Sequence, residues 1–299
     1  MSTPEFALPK GYLSISQIET YMKCGLQYYY RYIQGKMTPP GIALVTGSSG
    51  HAALEMNFTH KAKTMEDAPV ADVLDAFSDS YDQKVIEVEH MNKVAKGKEK
   101  DRTTKLIEVH QEIMAPSLMP MDQSSVEGEI RMDIGGVPML GYYDLETPTA
   151  LIDHKFVGKA KGTNEANDSL QLTFYSKAKG KPDVAFNCLI KQKESKTTHK
   201  WSDPRVVMVT GRTRTEADYK WLESVVRFVA AAISAGVFVP APPDHWACTK
   251  RFCGYYDQCR GSGKDVSPTI IALGQSRADS RAKKEKIAEK PTAVFEMGL

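Results

Sequence analysis

Asp144, Asp153 and Lys155 are the residues of this chain whose types and spacing could hydrolyse a phosphodiester. Asp153 and Lys155 stand two apart in the run Ala150-Leu151-Ile152-Asp153-His154-Lys155-Phe156-Val157, so on a strand both side chains point to one face. Asp144 closes the preceding strand, and the connection from Leu145 to Thr149 can bring it beside the pair. Two carboxylates converging there make an oxygen-rich site for Mg²⁺ or Mn²⁺, which lowers the pKa of bound water and clamps a phosphate oxygen. A lysine alongside holds the attacking water or offsets charge on the phosphorus. An exposed salt-bridged pair is the competing explanation. Against it, the apolar flanks suggest a strand buried on both faces, where an unpaired Asp and Lys would cost on the order of several kcal/mol.

Two helical pairs could add to the site. His51 and Glu55 are four apart, so both project from one side of a helix and could offer an imidazole or a carboxylate to the metal; a solvated pair is the plainer alternative. Gln171 and Tyr175 share a face in the same way and could touch DNA backbone or organise the site; a polar helix edge is the alternative there. Cys248, Cys253 and Cys259 form a dense trio, and Cys24 stands more than two hundred residues earlier. Three cysteines this close suggest metal ligation, and thiolate sites want a fourth ligand, for which Cys24 is the candidate. Buried free thiols remain the alternative. Cys188 falls on one face of an alternating strand and reads as a core thiol.

The elements that must position these residues follow from periodicity. A helix capped by Ser14 or Ser16 runs through Tyr29 with Cys24 inside it; Met37 to Gly50 reads as a loop opening a second helix at about Ser48. A charged helical region over 67–114 is broken by an exposed Lys-rich turn at 92–104. From Val126 the period becomes two, and Gly135-Gly136 joins two strands as a hairpin, followed by the strand carrying Asp153. A helix over 170–179, strands at 183–193 and 206–210, and a helix opened by a Thr215/Asp218 capping box complete an α/β or α+β pattern.

The 299 residues are 41% hydrophobic and 25% charged, a globular composition, and the net charge of +2 neither announces nor excludes a nucleic-acid partner. No membrane-spanning run or secretory pattern is visible, so the expectation is a cytoplasmic protein, and the five cysteines are not a disulfide framework. Lysines at 159, 161, 177, 179, 181, 191, 193, 196 and 200 could form a DNA-binding face, with Trp201 or the Tyr28 to Tyr30 run stacking on bases; solvated surface is the alternative.

Gly47-Ser48-Ser49-Gly50-His51-Ala52-Ala53-Leu54-Glu55, Gly141-Tyr142-Tyr143-Asp144, Asp153-His154-Lys155 and Gln171-Leu172-Thr173-Phe174-Tyr175 resemble, in order, the motifs of RecB-like nucleases in the PD-(D/E)XK superfamily. The resemblance covers about residues 12 to 262. It implies a restriction-endonuclease-like core, a small mixed sheet flanked by helices, and a metal-dependent deoxyribonuclease with exonuclease action. His51, Asp144 and Asp153 would be Mg²⁺ or Mn²⁺ ligands, Lys155 the catalytic lysine, Gln171 and Tyr175 the supporting motif, and Glu55 a further metal or supporting group. Tyr21 to Tyr30 around Cys24 resembles the N-terminal cysteine segment of the iron–sulfur members, the AddB-type and CRISPR-associated enzymes. That implies a [4Fe-4S] cluster on Cys24, Cys248, Cys253 and Cys259, stapling a helical subdomain that joins the N- and C-terminal parts. The first gap of the trio is longer than is common in that group, and Zn²⁺ is the rival, though without the usual Cys-x2-Cys knuckle.

On this reading residues 1–262 form the nuclease domain and 263–299 a flexible or loosely attached tail. The substrate is DNA, as single strands or duplex ends, in recombination, repair or phage DNA metabolism of a bacterial cell or phage-infected host. No helicase phosphate loop occurs, so unwinding would fall to a separate helicase or recombinase. The alternative is a non-catalytic DNA-binding or interaction module on the same fold, stapled by Zn or Fe–S.

Overall fold

The computed structural model describes residues 6–260 other than 196, 199 and 200; the expected C-terminal tail lies outside the described residues. In chain order the elements are α1 (Ile15–Lys23), α2 (Gly25–Tyr28), α3 (Ile42–Thr64), α4 (Val70–Lys84), α5 (Lys93–Ile113), β1 (Val126–Ile134), β2 (Val137–Glu146) and β3 (Leu151–Val157). There follow α6 (Thr163–Asn167), α7 (Leu170–Lys179), β4 (Val184–Ile190), β5 (Arg205–Thr210), α8 (Glu216–Ser234) and α9 (Tyr256–Arg260). The five strands form one mixed sheet in sequential order, with β3 and β4 parallel and the other neighbours antiparallel. The parallel step is made by the α6–α7 crossover, which is the α/β character expected from the sequence.

Alternation along β3 and β4 divides the core between the two faces of the sheet. Phe186, Cys188 and Ile190 pack with Leu172 and Phe174 of α7 and Leu222 and Val226 of α8. Ile152 and Leu189 pack instead with Leu54 and Phe58 of α3 and Leu106 of α5. Cys188 is the core thiol expected. The β1–β2 hairpin turns on Gly135 and Gly136 at φ +61° and +83°, angles that other residues seldom adopt. Ser169 caps α7 by accepting from the Leu172 N–H at 3.2 Å, and the Thr215/Asp218 box opens α8 as read.

Three helical boundaries differ from the sequence reading. The first helix stops at Lys23, because Cys24 is extended and the Gly25 N–H turns away to donate to Val239 O at 2.7 Å. The segment read as a loop to Gly50 is helical from Ile42. Gly50 is small there for a packing reason: a Cβ would meet the Phe156 ring at 2.2 Å. The Lys-rich stretch is helix as well, opened by Asn92, whose side chain accepts from the Ala95 N–H at 2.9 Å. Its Lys residues are good helix formers, and Thr103, Leu106, Ile107 and His110 supply a buried stripe. The turn falls earlier, between Lys84 and Lys93.

Candidate metal centre and catalytic lysine

The site forms where two strand ladders are interrupted. β2 and β3 pair at Leu145↔Ile152 and Glu146↔Leu151 and then part. The Asp144 carboxylate sits in that fork, its Oδ2 accepting the His154 backbone N–H at 2.6 Å. On the other side of β2 the ladder runs from Val126↔Leu145 to Gly128↔Tyr143, skipping Glu127 and Asp144. Glu127 is in the left-handed region at φ +47°, a cost of about 1 kcal/mol or more for a residue with a Cβ. From α3, His51 reaches across, its Nδ1 3.5 Å from Asp144 Oδ1 and 3.6 Å from Glu127 Oε1.

Donor atoms of His51, Glu127 and Asp144 thus lie within 4.8 Å of one another, the one such grouping among the described residues. One imidazole and two carboxylates suit a hard divalent cation such as Mn²⁺ or Mg²⁺. Asp153 stands beside the trio rather than in it, and Glu127 is the acid that sequence reading passed over. The available signal was its place across β2 from Asp144; what hid it was a backbone kink that residue periodicity does not encode.

Electrostatics bind these groups into one unit. Burial pushes Asp144 up to about 6, with Glu127 adding to the rise and His51 opposing it. Burial and the neighbouring Asp144 push Asp153 up to about 7 against the pull of Lys155. Burial disfavours charge on His51, but Glu127, Asp144 and Asp153 outweigh it and raise the ring to about 9. Without a metal, His51 therefore carries a proton at neutral pH, and a divalent ion must displace it.

Asp153 and Lys155 share a face of β3, as expected, with Lys155 Nζ 2.6 Å from Asp153 Oδ2. That ion pair engages the buried Oδ2. Burial works against the ammonium, but Asp153 and Asp144 more than compensate and raise its pKa, so Lys155 stays charged. Its Nζ donates to Gln171 Oε1 at 3.0 Å, and Gln171 Nε2 donates to Tyr175 Oη at 2.7 Å. Tyr175 donates in turn to the Tyr142 carbonyl. Lys155, Gln171 and Tyr175 therefore connect β3 through α7 to β2, as the four-residue spacing on the helix suggested.

The opposite face of β3 carries a buried polar layer that the sequence did not reveal. The Asn187 amide nitrogen lies 3.0 Å from His154 Nδ1 and 2.9 Å from His110 Nε2, donating one proton to each ring. The Phe58 ring stacks on His154 with centroids 5.5 Å apart. Burial lowers His110 to about 4 and holds His154 well below its ordinary value, so both rings are neutral. These contacts fix the backbone whose N–H holds Asp144.

Other expected contributors lie elsewhere. Glu55 is exposed and outside the metal grouping. Tyr28 and Tyr30 are core residues, 0% and 1% exposed, and cannot stack on bases. Trp201 is exposed, with the Arg102 guanidinium 3.9 Å from its ring centre. Several lysines proposed for DNA are engaged within the fold: Lys179 and Lys181 pair with buried Glu146 at 2.7 and 2.9 Å, Lys161 with Glu165 at 2.8 Å, and Lys191 with Thr46 at 2.5 Å. Lys196, His199 and Lys200 lie outside the described residues.

Cys24, Cys248, Cys253 and Cys259 line one cavity, with Tyr30 and Tyr255 among its walls. Cys24 is placed at the break between α1 and α2, where its Sγ accepts from the Ala241 N–H at 3.3 Å. None of the five cysteines is in a disulfide.

No described helix is long and apolar enough to cross a membrane. No curated protein matches the chain. Among solved structures, a protein from Eubacterium rectale provisionally named an exonuclease is similar, at 12% identity, over 81% of this chain and 88% of that one, with a TM-score of 0.49. The sequence model of the PD-(D/E)XK nuclease superfamily matches residues 12–260, the span that holds the fork, the lysine and all four clustered cysteines, and the chain belongs to that superfamily.

Proposed function

We propose that this nuclease is a Mn²⁺- or Mg²⁺-dependent deoxyribonuclease acting as an exonuclease on single strands or duplex ends. The observation that carries the reading is the gathering of His51, Glu127 and Asp144 donors within 4.8 Å, next to Asp153 and a charged Lys155. His51, Glu127 and Asp144 would hold the ion, with Asp153 completing the acidic wall. An ion held there would polarise a phosphate oxygen and acidify a water. Lys155 keeps its proton, so it acts as a fixed positive charge for the phosphate and not as the base. Gln171 and Tyr175 hold that charge in line with β2. Digestion of end-labelled single- and double-stranded DNA, with and without Mn²⁺, tests the reading. Wild type should cut only with the ion and Asp153→Ala should not cut; metal-independent cutting, or cutting by the variant at the wild-type rate, overturns it.

The four cysteines are proposed to hold a [4Fe-4S] cluster that ties α2 to the C-terminal segment. All four thiols line one cavity, and the Cys-x2-Cys knuckle usual for structural zinc is absent from the trio. Absorbance near 400 nm with iron and sulfide in anaerobically purified protein is expected; one zinc per chain would overturn the cluster. Recombination, repair or phage DNA metabolism in the cytoplasm, beside a separate helicase, is the setting proposed for this chemistry, with residues 1–262 as its nuclease domain.

A further inference from the structure

Two clefts meet at Gln171, and their charge differs. One, about 480 Å³, is the side from which Lys155 is reached, and Glu19, Glu165 and Asp168 line it with Lys155 and Lys161. The other, about 440 Å³, runs from Gln171 and Tyr175 along Tyr142 to Tyr12, Tyr32, Lys10 and Arg31, with no acidic residue in its lining. A polyanion approaching the site meets three carboxylates against two ammoniums on the first path, and two cations with no facing acid on the second.

The second cleft also presents aromatic surface. Tyr142 is 50% exposed, and its Oη donates to Glu129 Oε2 at 2.8 Å, which holds the ring upright at the rim. Glu129 is in turn tied to Arg131 at 2.5 Å, so its charge is paired. Tyr12 is partly exposed in the same wall. Tyr32 packs on buried Tyr28, and the Lys10 and Arg31 cations lie 5.8 and 5.4 Å from its ring centre, which gathers both charges at one end of the cleft. Exposed rings interleaved with cations match the recognition of an unpaired strand, whose bases offer free faces while a duplex keeps them stacked.

We infer that the cleft between Tyr142 and Arg31 seats a single DNA strand next to the scissile phosphate, with bases stacked on Tyr142 and Tyr12 and phosphates on Lys10 and Arg31. This rests on the nuclease reading and deepens it by naming the strand form that the site accepts. A duplex end would have to fray before entering.

Anisotropy of fluorescent oligothymidylate and of a blunt hairpin duplex, in EDTA so that nothing is cut, tests the assignment. Tyr142→Ala should weaken oligothymidylate binding about ten-fold and leave hairpin binding unchanged, while Tyr142→Phe, which keeps the ring, should bind like wild type. The double variant Lys10→Ala/Arg31→Ala should lower the log–log salt slope for oligothymidylate by about 1.4, the share of two phosphate contacts on a single strand. An oligoribouridylate arm tells DNA from RNA: equal affinity for both makes the cleft a general single-strand site and overturns the DNA assignment. Wild-type binding by Tyr142→Ala in a protein with an unchanged melting temperature, or an equal loss on the hairpin, overturns the cleft. The nuclease reading fails separately, through absent Mn²⁺-dependent cutting, because binding in EDTA does not require cutting.

Discussion

The carboxylate fork and the cysteine cavity are both places where ligating side chains converge, yet the fold holds them differently. Around the fork, strands are paired on either side, and the cluster beneath it draws on α1, α7, α8 and four strands. Among the described residues the apolar cluster at the cysteine cavity has four buried members, Leu26, Tyr30, Tyr255 and Cys259. Its cross-links among the described residues include the Tyr30–Tyr255 stack at 5.4 Å, Tyr255 Oη to Lys36 O at 2.7 Å, Lys36 Nζ to Gln258 Oε1 at 3.2 Å, Gly25 N to Val239 O, Ala241 N to Cys24 Sγ at 3.3 Å and Arg260 Nη2 to Ala241 O at 3.3 Å. A sheet can carry buried carboxylates at a cost, whereas a region with so small a core would gain its order from a group bound by the thiols. The ion at the fork should therefore matter to catalysis, and the group at the cysteines to stability.

The largest expected effect tests the first half of that contrast. Lys155→Ala and Asp153→Asn should each lower the rate of DNA cleavage roughly 10²- to 10³-fold, as removal of one fixed charge from a preorganised site does elsewhere. Asp153→Asn should not lower the melting temperature at pH 8, whereas Lys155→Ala strips the buried carboxylates of their countercharge and should lower it. Asp153 is raised to about 7, against about 4 in an unfolded chain, so above pH 7 its buried charge opposes folding and the neutral amide relieves it. A variant that lost activity only because it unfolded would break the contrast.

Next in size is the opposite pattern at the thiols. Cys24→Ser or Cys253→Ser should cost roughly 2–3 kcal/mol, about 3–5 °C in melting temperature for a chain of this size, and added Mn²⁺ should not restore it. Cleavage per folded molecule should persist at a temperature where the variant is native. Unchanged melting would leave these cysteines as ordinary core thiols.

A smaller effect comes from pH. Asp144 and Asp153 have folded values of about 6 and 7, raised above their unfolded values, so they contribute stability that is present in acid and lost as pH rises through that range. His51, raised to about 9, contributes stability that is complete below its unfolded value near 6.5 and lost only as pH climbs toward 9. The metal-free protein should therefore melt progressively lower between pH 5 and 8. Mn²⁺ needs His51 and Asp144 deprotonated and gains from charge on the adjacent Asp153, so its affinity and the melting temperature it restores should both grow over the same interval. Calorimetry with and without Mn²⁺ measures this, and a metal effect independent of pH would separate the ion from these groups.

How much of this was legible depended on whether local pattern or tertiary contact decided the outcome. Asp144, Asp153 and Lys155 were readable because a Gly-Gly turn and a period of two fix which strands adjoin, and Gln171 with Tyr175 because four-residue spacing fixes a helix face. The start of α3 was not, since Gly47-Ser48-Ser49-Gly50 looks like a loop, and only the Phe156 ring against Gly50 explains glycine within a helix. The buried layer of His110, Asn187 and His154 joins residues 77 and 33 apart in sequence, each of which alone has an ordinary polar reading.

Glu127 joins both themes, because its backbone is strained in the service of a side chain. Glu127→Gly should remove the strain of φ +47° and gain about 0.5–1 kcal/mol of stability, while losing a donor and weakening Mn²⁺ binding about ten-fold. Glu127→Gln keeps the strained Cβ and drops the charge, so it should weaken Mn²⁺ comparably without the gain in stability. Each variant should also lower the His51 pKa, since Glu127 is the largest of the influences that raise it, and nitrogen NMR of the ring reads this directly. Should the glycine variant gain stability yet bind Mn²⁺ as wild type does, the kink exists for some other reason and the fork holds its ion with His51 and Asp144 alone. Should it lose affinity without gaining stability, the left-handed turn is already offset by its surroundings, and the fork is less costly to the fold than the buried carboxylates imply.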